Sequence, residues 1–137
     1  MENRLIYITE FDFDRLQAMI GTANLSRLDK AHLRELKAEL EQAEIVAPQE
    51  IPPDVVTMNS RVRLRDLDSK EDLTYSLVFP NEENIEQQKI SILAPIGVAL
   101  IGYRVGDVIK WTVPGGVRRL TIKEILYQPE AAGDYHR

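Results

Sequence analysis

Cysteine is absent from the 137 residues, which excludes a disulfide framework, a thiolate metal site and a thiol nucleophile and points to an intracellular protein. Histidine occurs twice, as His32 in a helical stretch beside a leucine seam and His136 near the chain end, too isolated for metal binding or acid–base work. Long apolar runs are missing too. Met1-Glu-Asn-Arg4 is followed by only four apolar residues, short of a signal peptide or membrane span, so a cytoplasmic protein without a membrane partner is expected. Positive charge is in deficit: 17 Lys and Arg against 22 Asp and Glu leave a net charge of −5. That balance argues against strong binding of free nucleic acid and in favour of a protein partner. No nucleophile elbow, Walker loop or dinucleotide fingerprint occurs. Gly115-Gly116 follows Pro114 as a turn, with no helix start behind it to hold phosphate. Neither catalysis nor a cofactor nor a metal is expected.

What is present is enough for a packed core, with 44% hydrophobic residues in a chain sized for one domain or a small domain with an appendage. Pro95-Ile-Gly-Val-Ala-Leu-Ile-Gly102 is the most informative stretch. Proline suits a first helical turn and glycine the position just past a helix end, so the spacing predicts a helix from Pro95 to about Ile101. Gly106-Asp107 then opens a strand from about Val108 to Val113, and Pro114-Gly115-Gly116 turns it into a second, Val117 to Tyr127.

Upstream, Thr9 and Asp12 have capping-box spacing, with Ile8 and Phe13 as flanking apolar residues. Phe13, Leu16 and Ile20 share one helical face, and Gly21 supplies a stop. Ser26 with Asp29 signals a second start. Leu33, Leu36, Leu40 and Ala43 then form an a/d seam, and Pro48 ends this helix near Ala47. A tight loop makes the two helices a short antiparallel hairpin, a coiled coil, occupying residues 1–50. The prolines from Pro48 to Pro53 form a semi-rigid boundary. Beyond it, in 51–137, the period changes to two: Val62 and Leu64 alternate with Arg61, Arg63 and Arg65, then Leu73, Tyr75, Leu77 and Phe79 alternate up to Pro80. Asn81 to Gln88 reads as a surface loop, and Ile90 and Ile92 begin the last strand before the Pro95 helix. The class is α+β, an antiparallel sheet with one packed helix behind a helical hairpin.

The order Pro95-Ile, Ala99-Leu-Ile-Gly102, Val105-Gly-Asp107, strand, Pro114-Gly-Gly116 resembles the C-terminal domain of the Gre transcript-cleavage factors, over roughly residues 55 to 127. The resemblance implies an FKBP-like fold. Asp54-Val-Val-Thr-Met-Asn-Ser-Arg-Val62, Ala94-Pro-Ile-Gly-Val-Ala-Leu-Ile-Gly102 and Tyr127-Gln-Pro-Glu-Ala-Ala-Gly-Asp-Tyr135 are closer to one branch of that family, named for regulation of nucleoside diphosphate kinase.

The resemblance also implies a partner, bacterial RNA polymerase, and a mode of action. In the cleavage factors a long coiled coil enters the polymerase secondary channel and two carboxylates at its tip help hold a catalytic Mg²⁺, which needs hard oxygen ligands. Here the tip falls on Gly21-Thr-Ala-Asn-Leu-Ser26, and Thr22, Ala23 and Asn24 supply no carboxylate. About eleven residues of the first helix span only roughly 16 Å. Glu10, Asp12 and Asp14 sit at the hairpin's base, where the helix dipole accounts for them.

Polymerase binding in the family is linked to an acidic or amide residue followed by Ser-Pro. These positions are Leu93, Ala94 and Pro95 here, continuing into Ile96 and Gly97; helix initiation accounts equally well for Pro95, and burial for Leu93. Arg61, Arg63 and Arg65 are a candidate electrostatic contact for acidic protein or nucleic-acid backbone, or else a charge-protected edge strand. Tyr75 and Trp111 either line a peptide pocket, as in an isomerase-like module, or belong to the core.

The expected function is thus a non-catalytic transcription regulator that binds polymerase near the secondary channel through its C-terminal domain and competes with the longer factors. The alternative is a regulator of nucleoside diphosphate kinase, acting by direct contact or indirectly through expression, or a peptide-binding isomerase-like module.

Overall fold

A computed structural model describes residues 6–22, 27–113 and 115–134. The chain runs β1 (Tyr7–Thr9), α1 (Glu10–Thr22), α2 (Arg27–Gln42), β2 (Glu44–Val46), β3 (Arg61–Asp66), β4 (Asp72–Val78), β5 (Lys89–Ser91), α3 (Pro95–Leu100), β6 (Val108–Val113) and β7 (Gly116–Tyr127). The class is mixed α+β. Five strands form one sheet in the order β5-β4-β3-β7-β6, and β1 with β2 forms a second, two-stranded one.

The second sheet corrects the expected end of the second helix. α2 stops at Gln42 rather than near Ala47, because Glu44-Ile-Val46 pairs in parallel with Tyr7-Ile-Thr9. Parallel strands require a crossover, and here α1 and α2 provide it. β-Branched Ile45 and Val46 suit the extended state, and the Glu44 N–H donates to the Ile6 carbonyl at 2.8 Å. The Thr9 cap is as expected: its Oγ1 accepts the Asp12 N–H at 3.1 Å. α1 continues to Thr22, one residue past Gly21. Ser26, part of the second start signal, lies outside the described residues.

Two further expectations are corrected in the large sheet. It is not wholly antiparallel, since β5 runs parallel to β4 through Ser76–Lys89, Leu77–Ile90 and Val78–Ser91. Exposed 3₁₀ turns at Pro80–Glu82 and Ile85–Gln87 carry the chain between them. Nor is β3 an edge strand. It lies between β4 and β7, both antiparallel to it, with Val62 and Leu64 buried.

Leu36 and Leu40 of the seam join a core with Ile6, Ile8, Leu16, Leu64, Ile96, Leu120 and Ile122. One apolar cluster therefore runs from the N-terminal helices into the sheet, across the expected boundary. Gly102 allows this approach: it has φ of +81°, and a Cβ there would lie 2.6 Å from the Ile6 Cβ. Glycine is required on both counts. On α2, half-buried Glu39 has its carboxyl pushed above its ordinary range, by burial first and then by the like charge of Glu35.

Candidate functional site

The turn before α3 is built by Ser91. Its carbonyl accepts the Ala94 N–H at 3.0 Å and its Oγ accepts the Leu93 N–H at 3.0 Å. Ala94 has the extended backbone of a helix N-cap with Pro95 following, as proline's fixed φ favours. Leu93 and Ile96 are buried, and Gly97 has no room for a side chain, since a Cβ would stand 2.3 Å from the Ser91 carbonyl oxygen. Of the five residues that the sequence brings together here, Ala94 is half-buried; the Pro95 side chain lies outside the described residues.

The remaining expected site residues fall elsewhere. Thr22 closes α1, its side chain outside the described residues, as Ala23 and Asn24 are entirely. Arg61, Arg63 and Arg65 project together from β3 and are engaged within the chain. Arg65 Nε donates to Asp72 Oδ1 at 2.9 Å, Arg63 pairs with Glu124, and Arg61 reaches Ser76 Oγ at 3.5 Å and Gln88 Oε1 at 3.3 Å. Tyr75 and Trp111 are partly buried against the core.

Sequence reasoning missed a polar junction where α1 meets the rest of the molecule. Asp12 is a buried carboxylate rather than a solvated helix-start acid. One of its oxygens accepts the Met58 N–H at 3.0 Å, and the other accepts from Arg15. The Arg15 guanidinium also lies over the rings of Phe11, 4.0 Å from its centroid, and Phe79, at 4.8 Å, which ties α1 to the end of β4. Beside Asp12 the chain's last segment folds back. Thr57 Oγ1 donates to Glu130 Oε1 at 2.7 Å, and Gln128 Nε2 donates to the carbonyls of Pro52 and Val55 at 2.9 and 2.8 Å.

Burial pushes the Asp12 carboxyl up to about 6; the Arg15 hydrogen bond opposes this, and the negative charge of Glu130 adds to it. The arrangement fixes the pose of α1 against residues 52–60. Its only sequence signal is the Thr9–Asp12 spacing, which also fits an exposed cap. Among the described residues no three His, Asp or Glu side chains gather in a way that would hold a metal ion.

Residues 49–127 match the family described as transcription elongation factor, GreA/GreB, C-term, and residues 4–46 match Rnk N-terminus. The chain is 43% identical to the regulator of nucleoside diphosphate kinase of Escherichia coli (strain K12), over 98% of both chains. It is 36% identical to the transcription elongation factor GreA of Pelobacter propionicus, over 72% of this chain and 63% of that one. Among solved structures, a prokaryotic GreA/GreB elongation factor from Nitrosomonas europaea superimposes with a TM-score of 0.77 at 44% identity, covering 91% of this chain and all of that one. GreA factor homolog 1 of Thermus thermophilus superimposes with a TM-score of 0.50 at 26% identity, over 90% of this chain and all of that one.

Proposed function

We propose a function from the premise that this chain belongs to the GreA/GreB transcription elongation factor family and carries the Rnk-type N-terminus: it is a non-catalytic regulator that binds RNA polymerase near the secondary channel. Residues 51–137 act as the docking domain, of FKBP-like architecture, and residues 1–50 as a short antiparallel hairpin lying at the channel entrance. There the hairpin competes with longer factors without delivering carboxylates to the active centre.

One observation carries this reading: the family match covers residues 49–127 while the segment joining α1 to α2, Ala23-Asn-Leu-Ser26, contains no Asp or Glu. Length supports it. The 13 residues of α1 span about 20 Å, and this chain matches only 63% of the Pelobacter GreA. Leu93, Ile96 and Gly97 shape the docking turn from beneath, leaving half-buried Ala94 at its surface for contact.

Titration of fluorescently labelled protein with bacterial core RNA polymerase, repeated with excess unlabelled cleavage factor, tests the proposal. Saturable binding that the competitor abolishes is the expected result. No binding at micromolar polymerase, or binding indifferent to the competitor, overturns it.

A second reading follows from the name of the Escherichia coli relative, in which the partner is nucleoside diphosphate kinase itself. Direct contact predicts co-migration of the two purified proteins. An effect on expression instead predicts altered kinase messenger without co-migration.

A further inference from the structure

The outer face of the five-stranded sheet is cationic, on a chain whose net charge is −5. Side chains alternate along a strand and directly paired residues share a face. Burial of Val62, Leu64 and Asp66 on β3 therefore assigns Arg61, Arg63 and Arg65 to the opposite side. The register carries that side outward in both directions. Arg65 lies beside Thr121 and Thr121 beside Val108, two positions from the Lys110–Arg119 pair. Arg61 lies beside Ser76, and Ser76 beside Lys89 of β5. Lys123 fills the β7 position skipped between the partners of Leu64 and Arg63, and its charge helps to hold Asp72, on the same face, ionised.

Four strands thus supply cations to one surface, on which the strands' own carboxylates are Asp72 and Glu124; Asp68, in the turn after β3, pairs with Arg119 at 3.5 Å. The helices bury Leu16, Leu36 and Ile96 in the core with Val62 and Leu64, on the other side of the sheet. The outer face stays open: the Arg63, Arg65 and Arg119 side chains are 41%, 40% and 57% exposed.

The pattern selects the partner. The central arginines are held in place by Asp72, Glu124, Ser76 and Gln88, so their guanidinium positions are set before anything binds. Lys89, Lys110 and Lys123 make no ion pair among the described residues and provide the surplus charge. A nucleic-acid backbone is continuously anionic. It would lay phosphates against Asp72 and Glu124 and approach a chain of net negative charge. A protein segment with spaced carboxylates avoids both penalties, since its neutral residues can lie over the two carboxylates while its acids meet the lysines.

We propose that this sheet face is a docking surface for a carboxylate-rich segment of a partner protein. The inference goes beyond the polymerase reading and does not depend on it.

The test uses the isotope-labelled full chain, titrated at physiological salt with a synthetic peptide alternating Glu and Ser and, separately, with single-stranded RNA of equal charge. Expected are backbone amide shifts confined to the five-stranded sheet, on β3, β5, β6 and β7, on addition of the peptide. Affinity should be about tenfold weaker in Lys110→Glu/Lys123→Glu and intermediate in Lys110→Gln/Lys123→Gln, with melting temperature unchanged in the milder variant. Failure of the peptide to bind, shifts centred elsewhere, tighter binding of the RNA, or unchanged affinity in both variants would overturn the proposal.

Discussion

Two aspartates, each with a side chain only 1% exposed and each paired with an arginine, are shifted in opposite directions. Asp12, at the junction of α1 with residues 52–60, is pushed up to about 6. Asp66, at the end of β3, is held below its ordinary range. The difference lies in the donors. Asp66 Oδ1 accepts the N–H groups of Ser69 and Asp68 at 3.1 and 2.8 Å, and its other oxygen takes the Arg118 guanidinium, which also faces the Trp111 ring. Those two backbone donors are the first cause of its shift. Asp12 has one backbone donor, Met58, and a carboxylate neighbour, Glu130. Burial leads at Asp12 and backbone donors lead at Asp66, and the balance between them decides which form of a carboxyl the fold prefers.

The largest expected effect follows from the sign of the Asp12 shift. A carboxyl raised from 3.8 to about 6 binds its proton more tightly in the folded chain than in the unfolded one. Its contribution to stability is therefore fullest below pH 3.8 and is lost as pH rises through 6, by about 3 kcal/mol in all. Asp66 has the opposite sign: its contribution is present above its unfolded value and fades as pH falls through the lowered folded one. Urea denaturation at a series of pH values should show wild-type stability falling relative to Asp12→Asn between pH 4 and 7. A constant difference between the two across that window would mean that Asp12 does not titrate as the junction implies.

Next in size is removal of the carboxylate. Asp12→Ala strands the Met58 N–H and releases Arg15, and leaving one buried donor without a partner costs about 1–3 kcal/mol. Arg15 retains access to solvent, so the loss falls mainly on the backbone donor. Chemical denaturation at pH 7 measures it. A variant as stable as wild type would show that the Asp12–Met58 bond contributes nothing net against desolvation of the acid.

The same contrast explains which parts of the fold were legible in the sequence. Pro95 and Gly102 mark α3 because each answers a local backbone demand, and the alternation in Arg61-Val-Arg-Leu-Arg65 reports a buried face directly. The seam of Leu36 and Leu40 reads for the same reason. Glu44-Ile-Val46 did not read as a strand. Three residues are too few to show a period, they follow directly on a helical run, and their partner is Tyr7-Ile-Thr9. Asp12 looked like a surface acid because what buries it, Met58, is 46 residues away. The Gln128 and Glu130 contacts with residues 52–57 were illegible on the same ground, although the wording of that segment separated this chain from the longer factors. In the turn before α3 the proline is legible, while for Leu93 the residues alone offer no means of choosing between burial and contact.

A smaller effect isolates the neighbour rather than the aspartate itself. Glu130→Gln keeps an acceptor for Thr57 Oγ1 while removing the charge that helps to raise Asp12. The Asp12 midpoint, followed by carboxyl-carbon NMR, should move below about 6 but not reach its ordinary value, because burial remains the leading cause. An unmoved midpoint would remove Glu130 from the account of the junction.

The smallest effect belongs to the other aspartate. Asp66→Asn preserves a side-chain oxygen able to accept both turn N–H groups and neutralises the charge facing Arg118. Arg118 remains partly exposed and can turn toward water, so the melting temperature should fall only slightly at neutral pH. Below pH 4 the gap should close further, because the unfolded chain then binds a proton that the folded carboxyl, held below its ordinary range, takes up only at lower pH. A large loss of stability in Asp66→Asn that persists at low pH would place the value of this site in its exact shape rather than in its charge, and would end the parallel between the two buried acids.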